Sequence, residues 1–229
     1  MIRTLVTVCL ATSTLISFNT WGAEEQPEAK PEGKSWRGVF IGGANFSGGT
    51  DYTLKNTVTG ASASITGDSA KAQALFGAEI TYQKPEFPLG GSLIFEGTKY
   101  KYNDGTATAD GQKSLLLMPR IAAKAGPAEI WAGVGVGLMF LNIDGPTSAT
   151  QNNVSLTLLD TSSTGFAWSP RIGVDFDVND QLFIGGQFSY TQSSGSLDMR
   201  ATSNGTTVPL SDDYTRHWIS LALRVGAKF

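Results

Sequence analysis

From Trp36 to Phe229 the chain alternates apolar and polar side chains over stretches of about ten to fifteen residues, each ended by a turn or a polar connection. Period two marks a strand with one face in an apolar phase and the other in a polar one. Eight stretches follow the pattern: Trp36–Phe46, Lys71–Tyr82, Leu89–Tyr102, Lys113–Ala125, Ala128–Ile143, Thr164–Val178, Gln181–Gln192 and Tyr214–Phe229. The last shows the split most clearly. Ile219, Leu221, Leu223, Val225, Ala227 and Phe229 share one face, and Arg216, Trp218, Ser220, Arg224 and Lys228 share the other. In the sixth stretch Phe166, Trp168, Ile172, Val174 and Phe176 oppose Ser169, Arg171, Gly173, Asp175 and Asp177. In the first, Val39/Ile41 and Phe40/Ala44 compete for the same face, so its phase stays open.

The connections alternate as strictly as the residues do. Three are tight: Lys84–Pro88, Gly126-Pro127 and Asn179-Asp180. Four are long and rich in Ser, Thr, Asn and Gly: Ser47–Ala70, Asn103–Gln112, Asp144–Ser163 and Ser193–Asp213. An even strand count, short turns at one end and long loops at the other is the layout of a closed membrane barrel. Each stretch also reaches the 9–11 residues or so that a tilted strand needs to cross the hydrocarbon layer. The expected fold is therefore all-β: an eight-stranded antiparallel up-and-down transmembrane β-barrel over 36–229, with short periplasmic turns and four long extracellular loops. A soluble barrel needs neither this alternation nor an apolar exterior.

Charge lies on the face opposite the apolar one, so it must point inward. The phasing sends Glu79, Glu96, Arg120, Lys124, Arg171, Asp175, Asp177, Gln187, Arg224 and Lys228 into the lumen. Eight strands leave an interior only wide enough for side chains to fill, and buried charges must pair. Glu79 and Glu96 are thus expected to meet Arg120, Arg171 or Arg224, with Gly133, Gly135 and Gly137 leaving room for the long arginines. Such a lumen is plugged; a gated conductance needs the same charges to rearrange. Aromatic girdles are expected at both borders: Trp36, Tyr82, Phe176 and Phe229 at one, and Phe46, Tyr100, Phe140, Trp168, Tyr190 and the inward-phased Trp218 at the other. Pro119-Arg120-Ile121 and Pro170-Arg171-Ile172 repeat, and a proline within a paired strand suggests a bulge.

The start of the chain reads differently. Met1-Ile2-Arg3, an apolar run from Leu5 to Phe18, and Trp21-Gly22-Ala23 make residues 1–23 an expected signal peptide. Glu24–Ser35 is charged and Pro-containing, a flexible periplasmic tail. The only cysteine, Cys9, falls in the leader, which leaves the mature chain without thiol chemistry. A net charge of −3 and the absence of a basic stripe argue against nucleic-acid binding.

The ending His217–Phe229 looks like the terminal signature recognised by the outer-membrane assembly machinery, with Phe229 as the assembly signal. The opening Trp36-Arg37-Gly38-Val39-Phe40-Ile41-Gly42-Gly43-Ala44 is similar to the first strand of OmpA-type and OmpX-type barrels. That resemblance covers about 36–229 and implies an integral protein of the Gram-negative outer membrane. Its partners would be the membrane's lipid and lipopolysaccharide and the barrel assembly machinery. No peptidoglycan-binding domain is expected after Phe229. Small residues near the lipid face (Ala74, Ala78, Gly91, Gly97, Ala132 and Gly186) raise a homo-oligomer enclosing lipid as a further expectation. No enzyme is expected: the barrel lipid A deacylases carry His-x-Ser, whereas here Ile219 follows at that spacing and Ser220 lies on the opposite face from His217. No cofactor and no metal site are implied. The expected role is a structural and surface protein with a charge-networked lumen, and a small porin or gated low-conductance channel is the alternative.

Overall fold

In the computed structural model the described residues are 35–66, 73–84, 87–101, 109–144, 148–151, 154–158, 162–203 and 205–229. The expected signal peptide, and the tail up to residue 34, lie outside them, as does part of every long connection. Eleven strands are described: β1 (Trp36–Asn56), β2 (Ser62–Thr66), β3 (Gln73–Gln83), β4 (Leu89–Lys101), β5 (Ala109–Ala125), β6 (Ala128–Asp144), β7 (Ser148–Gln151), β8 (Val154–Leu158), β9 (Ser162–Asp177), β10 (Leu182–Ser203) and β11 (Thr206–Lys228). Eight of them, β1, β3, β4, β5, β6, β9, β10 and β11, pair antiparallel in that order, and β11 returns to β1. The ring is closed, so none of the eight leaves an open edge within it.

The seam between β1 and β11 runs from Arg37↔Lys228 to Asn56↔Leu210. At its foot the backbones of Trp36 and Phe229 exchange hydrogen bonds of 3.2 and 2.9 Å. The tight turns close locally. Gly126 takes φ +64°, which a side chain resists, and Asn179 Oδ1 accepts the N–H groups of Gln181 and Leu182, both at 2.8 Å.

Strand pairing runs further into the long connections than the alternation predicts. Past the apolar belt, β1, β10 and β11 continue as one ladder. β2 adds to β1, β8 to β10 and β7 to β8. The result is a six-stranded sheet, in the order β2-β1-β11-β10-β8-β7, at the long-loop end. Its outward residues Asp51, Lys55, Ser194, Ser196, Asp198, Arg200 and Asp213 are exposed and polar. With neither face in lipid, these segments carry no apolar period, although their backbone pairs as well as any other.

One register slip occurs on the seam, between Asn45 and Ser47, making Phe46 a bulge. Below it the odd residues Val39, Ile41 and Asn45 point inward, and above it Gly48 and Thr50 do. The two prolines behave otherwise than expected. Register is the same on both sides of Pro119 (Leu117↔Val136, Arg120↔Gly133) and of Pro170 (Ser189↔Arg171, Gln192↔Trp168). Each costs its ladder a donor without inserting a residue.

Candidate functional site

The described interior is organised around four arginines and four carboxylates. Every one of them is at least nine-tenths buried. Arg37, from the strand whose phase the sequence left open, grips Glu129 through both terminal nitrogens at 2.5 and 2.6 Å. Glu129 also accepts from Arg120 at 2.9 Å. Arg120 stands 3.7 Å from Glu79, and Glu79 accepts from Arg224 Nη1 at 2.6 Å and from Thr81 Oγ1 at 2.7 Å. Arg224 Nε reaches Asp175 at 3.0 Å. A separate fork joins Arg171 to Glu96 at 2.6 and 2.7 Å. Gln187 links the two groups: its oxygen accepts from Arg224 at 2.9 Å, and its amide nitrogen lies 3.5 Å from Glu96. Four cations against four anions cancel, the condition under which charges persist in a low-dielectric interior.

Trp131 sits at the centre of this array, with the guanidinium of Arg224 4.4 Å and that of Arg120 4.7 Å from its ring centroid. Stacking on the indole faces holds both cations in place. Room for the ring comes from Gly173, where a Cβ would collide with the indole. The glycine row of β6 has another use than the one expected. A Cβ on Gly133 or Gly135 would meet Met118 or Leu116, and one on Gly137 the backbone of Leu115, so no arginine occupies that space. Besides the Glu79, Glu96, Arg120 and Glu129 that they supply to the network, β3 to β6 pack Leu75, Ile94, Leu116, Met118, Met139 and Leu141 into an apolar cluster inside the barrel.

Outside, the pattern inverts. Phe40, Phe76, Ile80, Leu93, Phe95, Leu117, Ile121, Ile130, Val134, Ile172, Phe188, Leu221, Leu223 and Val225 are all exposed. This charged interior within an apolar exterior is inside-out for water and right for hydrocarbon. The chain is an eight-stranded transmembrane β-barrel. Rings of exposed or half-exposed aromatics bound the belt: Trp36, Tyr82, Phe176 and Phe229 at the short-turn border, and Phe46, Phe140, Trp168 and Tyr190 at the other. Trp218 is inside, buried to 4%.

No protein-family model matches the chain, and no curated protein sequence matches it. Among solved structures, Neisserial surface protein A is similar at 14% identity and TM-score 0.48, covering 84% of this chain and 97% of its own. The Escherichia coli outer membrane protease OmpT is similar at 10% identity and TM-score 0.45, covering 85% and 97%. Ail, the attachment invasion locus protein of Yersinia pestis, is similar at 12% identity and TM-score 0.41, covering 83% and 99%. At this level of likeness, architecture carries no information about activity.

Of the lumen residues phased from sequence, Glu79, Glu96, Arg120, Arg171, Asp175, Gln187 and Arg224 come together in the network. Lys124 is exposed beside the Gly126 turn, and Asp177 is exposed at the short-turn rim, where it pairs with Lys228 at 2.5 Å. Arg37 and Glu129 were missed. Glu129 was within reach, because it stands two residues before the inward Trp131. Arg37 needed the phase of β1, which only the pairing resolves. His217 lies on the outward face, stacked 6.5 Å from Tyr190, while Ser220 points inward and donates to Asn45 at 2.6 Å.

Proposed function

We propose that the protein is an integral outer-membrane barrel whose lumen is sealed by its own side chains and whose working surface is the sheet beyond the belt. In this reading residues 1–23 are removed as a signal peptide, 24–35 form a periplasmic tail, and the Phe229 strand is presented to the barrel assembly machinery. Membrane lipid and lipopolysaccharide surround the belt. The balanced Arg–carboxylate network carries the reading. Every charged member has an oppositely charged partner, and the void beside Glu96 and Trp218 measures only about 10 Å³, room for roughly one water. A pore would need those pairs broken. The opposite facing of His217 and Ser220 supports a non-enzymatic role. The six small residues considered for self-association are spread around the barrel: Ala74, Ala78 and Gly97 adjoin, whereas Gly91, Ala132 and Gly186 lie apart on β4, β6 and β10.

Planar-bilayer recording on protein that shows a heat-dependent gel shift tests the proposal. Quiet membranes are expected. Steady openings in the wild type, abolished by neutralising Arg120 or Arg171, would establish the channel reading in its place.

A further inference from the structure

We infer that the lumen cavity bounded by Glu96, Gln112, Ser114 and Trp218 is a binding site for one ordered water molecule, which completes the polar plug at its long-loop end. The inference rests on the sealed-lumen reading above and goes beyond it by assigning an occupant and the side chains that hold it. The site is built by neighbouring strands. Gln112 and Ser114 are successive inward residues of β5, and they pair across to Thr98 and Glu96 of β4. Gln112 stands one inward position nearer the long loops than the Glu96–Ser114 pair.

Three observations point to water. The first is the amide of Gln112. The residue is 2% exposed, and neither Oε1 nor Nε2 has a hydrogen-bond partner among the described residues. Thr98, directly opposite, is already engaged: its hydroxyl donates to the carbonyl of Ala74 at 2.9 Å and accepts from Asn45 at 3.2 Å. Leaving a buried amide without partners is costly. The second is size. The cavity that Gln112 lines measures about 10 Å³, close to one water-sized sphere and too small for an organic ligand. The third is charge. Glu96 is the only carboxylate on the cavity wall, and both of its oxygens already hold Arg171. An anion would meet that carboxylate, and a cation would unbalance four buried arginines against four buried carboxylates. What fits is a small neutral molecule that both donates and accepts. Water accepts from Gln112 Nε2 and donates to Oε1, which leaves a proton and a lone pair for the Ser114 hydroxyl on the same wall. The amide is then satisfied without opening a path through the ion pairs below it.

A crystal structure of the folded protein in detergent, at a resolution that shows water, tests the site. Parallel soaks in rubidium and bromide salts reveal any ion by its anomalous signal. One isolated peak is expected within hydrogen-bond reach of the Gln112 amide and the Ser114 hydroxyl, with no anomalous signal from either soak. Gln112→Met keeps the length of the side chain and removes both polar atoms, so the peak should be lost. A heat-dependent gel shift shows that the variant barrel is intact, and the wild-type map decides the matter by itself if it is not. No peak in wild type overturns the site, as do an anomalous signal from either ion and a peak that survives Gln112→Met. A column of peaks running on through the Arg–carboxylate layer, with steady conductance in planar bilayers, overturns instead the sealed lumen on which the site rests.

Discussion

The Arg171–Glu96 fork offers the sharpest test of whether the lumen charges act as a coupled network. Its two side chains are 0% and 6% exposed, and two parallel bonds of 2.6 and 2.7 Å join them. Replacing either residue alone by Met leaves the other ionised and buried, which costs about 3–5 kcal/mol. Replacing both removes the charge and the desolvation together. What remains is Ser169, which loses the Arg171 Nε donor at 3.1 Å, and Gln187, which loses a weak acceptor at 3.5 Å. At about 1 kcal/mol for each lost hydrogen bond, the double variant should lie within roughly 2 kcal/mol of wild type. The single losses would then exceed the double loss by at least about 4 kcal/mol in sum, far from additivity. Urea titration in micelles, reading the fraction that keeps the unboiled gel mobility, measures all four corners of the cycle. Single losses below about 1 kcal/mol, the range of an exposed pair, would refute the claim that this charge is held away from water.

Two further outcomes follow from the structure. Asp212 lies in the part of β11 beyond the belt, and burial, helped by Asp213 and opposed by Arg216, raises its pKa to about 6. A raised carboxyl pKa favours the protonated fold, so its stabilising contribution is complete below about pH 4 and is lost as pH rises to about 6. Asp212→Asn should flatten that part of the stability profile and raise stability at pH 7.5; a profile identical to wild type would contradict the placement. Gly173→Ala forces a methyl against the Trp131 ring and should cost about 1–3 kcal/mol of overpacking. A loss of the near-ultraviolet circular dichroism from Trp131 is expected with it, and an unchanged spectrum with unchanged stability would show that the ring has slack.

How far the sequence could be read depended on which phases surround each segment. Where a strand has lipid on one side and lumen on the other, as in Ile219–Phe229 or Phe166–Phe176, the alternation places nearly every side chain. Where both faces are polar, as in 193–203 of β10, hydrophobicity carries no signal although the ladder continues to Ser203↔Thr206. Strand one defeats the pattern for a different reason. Below the bulge at Phe46 the strand keeps one phase, but Val39 and Ile41 are apolar and point into the lumen while Phe40 points out, so apolar residues stand on both faces and hydrophobicity does not tell them apart. Arg37 escaped notice on that account. The lumen partners were legible as a set, because inward charges must pair. Which carboxylate meets which arginine depends on strand tilt and stagger, which no local pattern encodes. That stagger brings Arg37 to Glu129, 92 positions away.

The seam between β1 and β11 sets the order of events in forming the barrel. Every other junction of the ring joins strands that are neighbours in the ring's chain order, so those strands can meet soon after they emerge. The seam joins Arg37 to Lys228, closing a loop whose entropy cost is on the order of 4–5 kcal/mol by length alone. It can form only after the other seven junctions have aligned the sheet. The lengthened ladder up to Asn56↔Leu210 therefore works as a latch: the barrel shuts last along one line, and that line is held by a longer run of paired backbone than the β1–β3 or β3–β4 junction.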